Sequence, residues 1–260
     1  MDLFVRACIR AMMGAVTDVA AVFGDDYLYF YEDCIDDWHS DRDTAEILGL
    51  LEVGRGARIL DVPCGQGRIT RRLAAAGMDV TGVDLVAAYV ETARATPAHP
   101  DGRATYVVGD MKELPVPGPF DAVVCWYSSF GYDDDGGCQA ALAEFRRVLR
   151  PGGTLLIETM HHDGAVRNLT PAPDASVITR GDDVLVDVAR FDTVAGRLRT
   201  DRTVYRSGTV RRVSFSVRLP TPPEWERWLR DAGFERVEYF AGGGGALEYD
   251  SWVVVVRATA

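Results

Sequence analysis

A doubly wound α/β fold with a mostly parallel sheet is what this sequence predicts, on three observations. Short apolar strands alternate with helical stretches between residues 57 and 160. A glycine-bearing turn, Asp61 to Arg68, follows the first of those strands and opens a helix. Beyond residue 160 the strands run on without helices between them. Alternation of this kind builds a parallel sheet with helices on both faces, because each parallel crossover needs a helix. A chain of 260 residues allows one to two domains.

Each element follows in order. Residues 3–23 carry apolar side chains at Phe4, Cys8, Met12, Val16 and Val19, the spacing of a helix face. An aromatic and acidic stretch over 25–38 comes next. A second helical stretch spans 44–51, with Asp43 placed to cap it. Together, 1–56 read as an N-terminal helical and aromatic lid. Strands are predicted over 57–62, 79–83, 105–108, 120–126 and 154–159, and helices over 69–76, 87–95 and 139–149. Gly77 ends the first of these helices, and Pro151-Gly152-Gly153 stops the third. Strands over 184–191, 197–205 and 211–219 turn at Ala195-Gly196 and Ser207-Gly208, an antiparallel insertion at 164–220. Its charged residues alternate with Leu198, Val204 and Phe215, so one face is expected buried and one wet. A helix over 224–232 starts at Pro222-Pro223 and ends at Gly233. Strands over 237–240 and 251–258 bring the sheet to seven, so the α/β core is expected over 57–163 and 221–260.

Composition excludes several classes. The net charge is -11, and no Lys/Arg cluster is large enough for a nucleic-acid partner. Arg146, Arg147 and Arg150 read as the solvated, dipole-complementing end of a helix. No apolar run approaches the roughly 20 residues of a membrane span. The start, Met1 to Arg6, lacks a basic region followed by an apolar core, so no signal peptide is expected. Five cysteines without a C-x-x-C pair suit reduced thiols in a cytoplasm.

The turn DVPCGQGR (61–68) sets Gly65 and Gly67 where the backbone must turn tightly and approach a ligand. Ligands of such sheets bind at the carboxyl ends of the strands, near the switch point. A dinucleotide fingerprint asks for a third glycine where this chain has Thr70, which weakens that reading. Asp84 ends the second strand, 19 residues after Gly65, where a carboxylate accepts ribose hydroxyls in several kinds of nucleotide site. Asp110, in Gly109-Asp110-Met111 after the third strand, is placed to accept from an adenine amino group.

In order and spacing, LDVPCGQGR (60–68), TGVDL (81–85), GDM (109–111), FDAVVCW (120–126) and LRPGG (149–153) resemble the class I S-adenosylmethionine (SAM)-dependent methyltransferases. Any one motif is weak, and five in order are specific. The resemblance implies a seven-stranded Rossmann-like methyltransferase sheet, SAM as methyl donor and S-adenosylhomocysteine as product. It implies roles by position. Asp61, Cys64, Gly65 and Gly67 would line the methionine moiety and ribose. Asp84 would hold the ribose hydroxyls, with Leu85 against adenine. Asp110 and Met111 would read the adenine edge, and the Cys125 carbonyl would face the methionine amino group. The family's first motif glycine is Pro63 here. A Pro-Cys nucleophile, as in cytosine-C5 methyltransferases, belongs after the fourth strand, so Pro63-Cys64 reads as loop packing.

Methyl transfer from a sulfonium is an in-line displacement that needs alignment, exclusion of water and, for a hydroxyl, a base. The segment WYSSFGY (126–132) lacks the Asn/Asp-Pro-Pro-aromatic motif of enzymes that methylate nucleic-acid amino groups. Phe130 and Tyr132 are candidates for the acceptor wall or, equally, packing aromatics. His161 and His162 end the fifth strand as candidates for a general base. The alternatives are a divalent-metal set with Asp163 and Glu158, or loop histidines without a role; no metal is expected. In the aromatic run 26–32, Tyr27 and Tyr31 are candidates for contact with substrate or with the methionine portion, where an aromatic face favours a sulfonium. Arg42 is a candidate for the methionine carboxylate. The alternative is that these aromatics cover a sheet face.

The resemblance thus implies a small-molecule O- or N-methyltransferase of the bacterial natural-product or sugar tailoring type, with the insertion roofing the pocket or forming a homodimer contact. A SAM-binding protein of cyclase type and a protein methyltransferase are the alternatives.

Overall fold

The computed structural model describes residues 19–97, 102–170 and 172–260. The helix expected over 3–23 therefore lies largely outside the described residues, as does Cys8. Its described end is α1 (Val19–Val22), followed by α2 (Asp25–Tyr31), a 3₁₀ turn (Glu32–Cys34) and α3 (Asp37–Leu51). Then come β1 (Arg58–Asp61), α4 (Arg68–Ala75), β2 (Asp79–Asp84), α5 (Ala87–Ala95), β3 (Arg103–Val108), β4 (Phe120–Cys125), α6 (Asp135–Val148) and β5 (Leu149–Met160). The chain continues through α7 (His162–Leu169), β6 (Asp174–Arg180), β7 (Asp183–Asp192), β8 (Arg197–Arg206), β9 (Thr209–Arg218), α8 (Pro222–Asp231), β10 (Arg236–Ala241) and β11 (Val253–Thr259).

Seven strands form one sheet in the order β10-β11-β5-β4-β1-β2-β3. The five from β3 to β5 are parallel, and β11 and β10 add antiparallel at one edge. Strands buried on both faces have to be mostly apolar: β4 is so but for Asp121, and the centre of β1 is Ile59-Leu60, with Arg58 exposed at its start and Asp61 at its carboxyl end. One face packs Leu142 and Phe145 of α6 with Trp225 and Trp228 of α8. The other packs Ile47 of α3 and Leu73 of α4. After β1 the chain builds outward through β2 and β3, then returns to place β4 on the other side of β1. That reversal opens a crevice above the carboxyl ends of β1 and β4.

The second sheet, β6-β7-β8-β9, is antiparallel throughout. Its buried face carries Phe191, Leu198 and Val217 against α7 and Tyr132, and Leu185 and Val204 against Phe30 of α2. Val177, Tyr205 and Val210 of β6, β8 and β9 are exposed.

Several boundaries differ from the sequence expectation for identifiable reasons. α3 begins at Asp37, and its cap is Asp36, whose carboxylate accepts from the His39 N–H. Asp43 lies inside the helix, where Arg68 takes its carboxylate at 2.9 Å. α6 begins at Asp135 through two glycines, held by the Asp134 cap. Arg146, Arg147 and Arg150 are bonded rather than simply solvated: Arg147 donates to the Leu114 carbonyl and Glu144, Arg146 to the Gly233 carbonyl, and Arg150 to Asp121. α2, α7 and β6 carry no sequence expectation. β6 is exposed along most of its length and so shows no apolar alternation.

Candidate cofactor and acceptor site

A cavity of about 310 Å³ lies at the carboxyl ends of β1 to β4. Its floor comes from the loops after these four strands and from the first turns of α6. Phe23, Tyr27, Leu28 and Ile35 of the N-terminal segment close over it.

The turn after β1 is shaped by two left-handed glycines, Gly65 at φ +54° and Gly67 at φ +77°. A β-carbon on Gly67 would stand 2.6 Å from the Tyr106 hydroxyl, so the ring of Tyr106 fills the space a side chain would need. Gly67 itself is behind the cavity wall, whereas Gly65 and Cys64 line it. The Gly65 N–H donates to Asp84 Oδ2 at 2.7 Å and the Val86 N–H to Oδ1 at 2.8 Å. The loops after β1 and β2 are thus tied through one carboxylate. Burial raises the Asp84 carboxyl, while the two N–H groups favour its charged form. Each oxygen retains a lone pair for a hydroxyl donor. Asp61 lines the cavity at the end of β1 and accepts from Thr70 Oγ1 at 2.5 Å. The position where a dinucleotide fingerprint needs glycine is therefore used here to hold an acid. Burial pushes the Asp61 carboxyl up to about 6, against the opposing bond from Thr70.

Leu85, Asp110 and Met111 line the same cavity. Asp110 accepts from the Lys112 N–H at 2.9 Å, and Lys112 Nζ bridges Asp110 at 3.5 Å and Asp133 at 2.9 Å. The Cys125 side chain is buried in the core and absent from the lining, while Trp126 beside it lines the wall. Burial raises both the Cys64 and the Cys125 thiols, which is the opposite of what a thiolate nucleophile requires.

After β4 the chain turns through Tyr127 at φ +62° and Ser128 at φ +52°. Left-handed backbone costs a non-glycine residue about 1–2 kcal/mol, so neighbouring contacts must hold it. The Ser128 N–H donates to Glu158 Oε2 at 3.1 Å and to the Glu158 carbonyl at 3.2 Å. Burial pushes the Glu158 carboxyl up to about 7, with the N–H groups of Ser128 and Tyr127 opposing the shift. The Arg68 guanidinium lies over the Tyr127 ring at 4.8 Å and pairs with Asp43 at 2.9 Å.

The other end of the cavity is aromatic. Phe23 meets Tyr27 at 5.2 Å and Tyr132 at 5.1 Å, both edge-on, and Tyr132 stacks on Phe215 of β9 at 6.1 Å. Tyr27 and Tyr132 line the cavity, as does Phe130, which is fully buried against Trp225 at 5.1 Å. Tyr31 is not in the lining. It stacks behind Tyr27 at 4.8 Å, and its hydroxyl accepts from Arg202 Nη2 at 3.0 Å. Arg202 forms a buried two-point pair with Asp187, at 2.8 and 2.7 Å, beneath this aromatic group.

The other expected residues lie elsewhere. Arg42 is exposed, over the Trp38 ring at 5.4 Å, and the arginines that line the cavity are Arg68, Arg71 and Arg72. His161 is buried with Nδ1 3.1 Å from the Ser251 carbonyl. His162 sits beside Asp163 at 2.8 Å and edge-on to Phe191 at 5.2 Å. Neither histidine lines the cavity. Glu158 faces the 127–128 turn, and among the described residues no three His, Cys, Asp or Glu side chains come together as a metal set. The lining includes Phe23, Tyr89 and Lys112, which sequence reasoning did not select. Lys112, the chain's only lysine and set between two acids in sequence, is the one that carried a signal.

The donor set suits SAM: a doubly tethered carboxylate for ribose hydroxyls, a second acid for an ammonium, and aromatic faces for a sulfonium. Comparison with known proteins agrees. Residues 59–153 match the family described as a methyltransferase domain. The ubiquinone biosynthesis O-methyltransferase of Xanthomonas campestris pv. campestris is 34% identical over 125 residues, 47% of this chain and 48% of that protein. The match thus spans about half the length of such curated relatives. Among solved structures, the CcbJ methyltransferase from Streptomyces caelestis superposes with a TM-score of 0.73 at 21% identity, covering 88% of this chain and 96% of that one. SAM-bound CalS10 from Micromonospora echinaspora, an amino pentose methyltransferase involved in calicheamicin biosynthesis, gives 0.64 at 23%, covering 90% and 97%.

Proposed function

We propose, from a chain that is class I SAM-dependent methyltransferase in family and fold, that it transfers a methyl group to a nitrogen or oxygen of a small molecule. The observation that carries the reading is Asp84, its carboxylate tied to Gly65 and Val86 at the mouth of the crevice under an aromatic cover.

SAM supplies a methyl group already activated on a sulfonium. The chain's residues then bind, orient and exclude water. Asp84 accepts the ribose hydroxyls. Asp61 accepts from the methionine ammonium, and that cation draws its carboxyl back toward the ionised form. Arg68, fixed by Asp43, presents a cation to the methionine carboxylate in the place expected of Arg42. Asp110 and Met111 border the adenine edge. Phe23, Tyr27 and Tyr132 wall the acceptor side, where their ring faces favour a cationic group.

An amine acceptor is favoured over a hydroxyl. Among the described residues, no histidine lines the cavity. The lining carboxylates are engaged: Asp61 by Thr70, Asp84 by two N–H groups, Asp110 and Asp133 by Lys112, and Asp37 by Arg72. A neutral amine needs no dedicated base before attack, whereas an aliphatic hydroxyl does. The amino pentose acceptor of CalS10 fits this reading, and a natural-product or sugar amine is the acceptor class we propose.

The test uses methyl-labelled SAM, the purified protein and a fractionated extract of the source cell. Label in the small-molecule fraction is the expected result. Label in protein would assign a protein methyltransferase instead. SAM binding without any methyl transfer would favour a SAM-dependent protein that has abandoned it.

A further inference from the structure

We infer that Glu158 is a positioning residue of this site: its carboxylate holds Tyr127 and Ser128 in the left-handed turn that sets the Tyr127 ring against the methionine end of the cavity. The inference rests on the SAM reading above.

Glu158 does not line the cavity and touches nothing that reacts. It sits near the end of β5, in the same sheet and beside β4, with 8% of its surface exposed. A buried carboxylate must be compensated. Burial and the charges of Asp43 and Glu46 of α3 oppose its ionisation, and the N–H groups of Ser128 and Tyr127 favour it. Successive N–H groups turned to one side form a concavity that binds an anion. Here the anion is the chain's own side chain.

The converse dependence is equally plain. Tyr127 and Ser128 are consecutive non-glycine residues with positive φ, a conformation disfavoured for both and most for the bulkier tyrosine. The turn and the carboxylate each need the other. What the turn delivers is the Tyr127 ring, which lines the cavity and lies under the Arg68 guanidinium at 4.8 Å. Arg68 is in turn fixed by Asp43 at 2.9 Å. The buried acid therefore acts on the ligand through Tyr127 and Arg68. If it is lost, the turn relaxes toward ordinary backbone and carries the ring out of place.

SAM and S-adenosylhomocysteine titrated calorimetrically into the full chain test this. Glu158→Ala should weaken SAM by roughly tenfold, the scale of a lost bond to a charged group. Glu158→Gln keeps one oxygen for the Ser128 N–H and should lose less. The decisive arm is the double variant: adding Ser128→Gly to Glu158→Ala should recover most of the affinity, because glycine takes positive φ without a β-carbon penalty. Loss of packing around a missing glutamate would gain nothing from a glycine at 128. If Glu158→Ala does not fold, the same comparison is made in the Glu158→Gln background. Wild-type affinity in Glu158→Ala, or no recovery with glycine, overturns the inference. Failure of the wild-type chain to bind SAM sinks the cofactor reading itself, a separate outcome.

Discussion

The two ends of the cavity are built on different principles. The end proposed for the cofactor is made of loops at strand ends, where backbone N–H groups of Gly65 and Val86 and short side chains such as Asp84, Asp61 and Thr70 meet within 2.5 to 2.8 Å. The end proposed for the acceptor is walled by large side chains from the 23–27 segment and the loop after β4, backed by Phe215 and Arg202 of the antiparallel sheet. Tyr31 and Arg202, bonded there, are 171 residues apart in sequence. Backbone geometry fixes the first end, and side-chain packing over a buried charge fixes the second.

The largest effect expected from this contrast is at the acceptor end. Removing one member of a buried pair leaves the other unpaired, so Arg202→Met should destabilise the fold by about 3–5 kcal/mol. Pairing it with Asp187→Leu should return most of that loss, since an apolar replacement of both removes the orphaned charge. Thermal unfolding of the two variants decides: equal melting points for the wild type and the single variant would mean the pair does not hold the wall.

At the cofactor end, Gly67→Ala tests backbone rather than charge. It puts a β-carbon against the Tyr106 ring at positive φ and should cost about 1–3 kcal/mol in stability. A matching loss of SAM affinity is expected, and retention of full affinity would show that the turn tolerates a shift.

Acidity separates stability from binding. Asp61 has its folded carboxyl raised, to about 6, above its ordinary value near 4. Its contribution to stability is therefore complete below that ordinary value and lost as pH rises through about 6. SAM affinity should run the other way, rising over the same window as the carboxylate forms to meet the ammonium. Asp61→Asn should flatten both trends in a calorimetric and thermal pH series. An unchanged slope would assign the titration to another group, Glu158 first.

The smallest effect is expected at His162, beside Asp163 and outside the cavity: His162→Ala should leave turnover within about twofold. A loss of turnover with SAM affinity intact would restore the histidine as a base.

The same contrast explains what was legible in the sequence. Glycines forced by positive φ and acids at fixed distances from them leave a spacing that can be read. So Gly65, Asp84 and Asp110 are found at the cavity, and the parallel sheet follows from its alternation of strand and helix. Asp43 and Arg42 misled because a cap and a cationic contact have local look-alikes. Asp36 is an equally good cap seven residues earlier, and Arg68 reaches the cavity from a helix 26 residues later. The choice is made by the Asp43–Arg68 pair, which exists only in three dimensions. In sequence Glu158 stands three residues before His161-His162, close enough to suggest a divalent-metal set with them and Asp163. β5 ends there, and while Glu158 turns toward the 127–128 loop, the histidines turn toward Ser251 and Phe191. Tyr31, a candidate for ligand contact, stands one layer behind the lining against Tyr27, since stacking order cannot be read from a run of tyrosines.

The proposed SAM site is the crevice above the carboxyl ends of β1 and β4, organised by one tethered carboxylate. Calorimetric titration of SAM into the wild-type chain and into Asp84→Ala tests it most directly. One site per wild-type chain is expected, with an affinity at least about tenfold weaker in the variant, the worth of hydrogen bonds to a charged acceptor. Equal affinity in the two proteins would contradict the ribose assignment, and no binding to either would contradict the site.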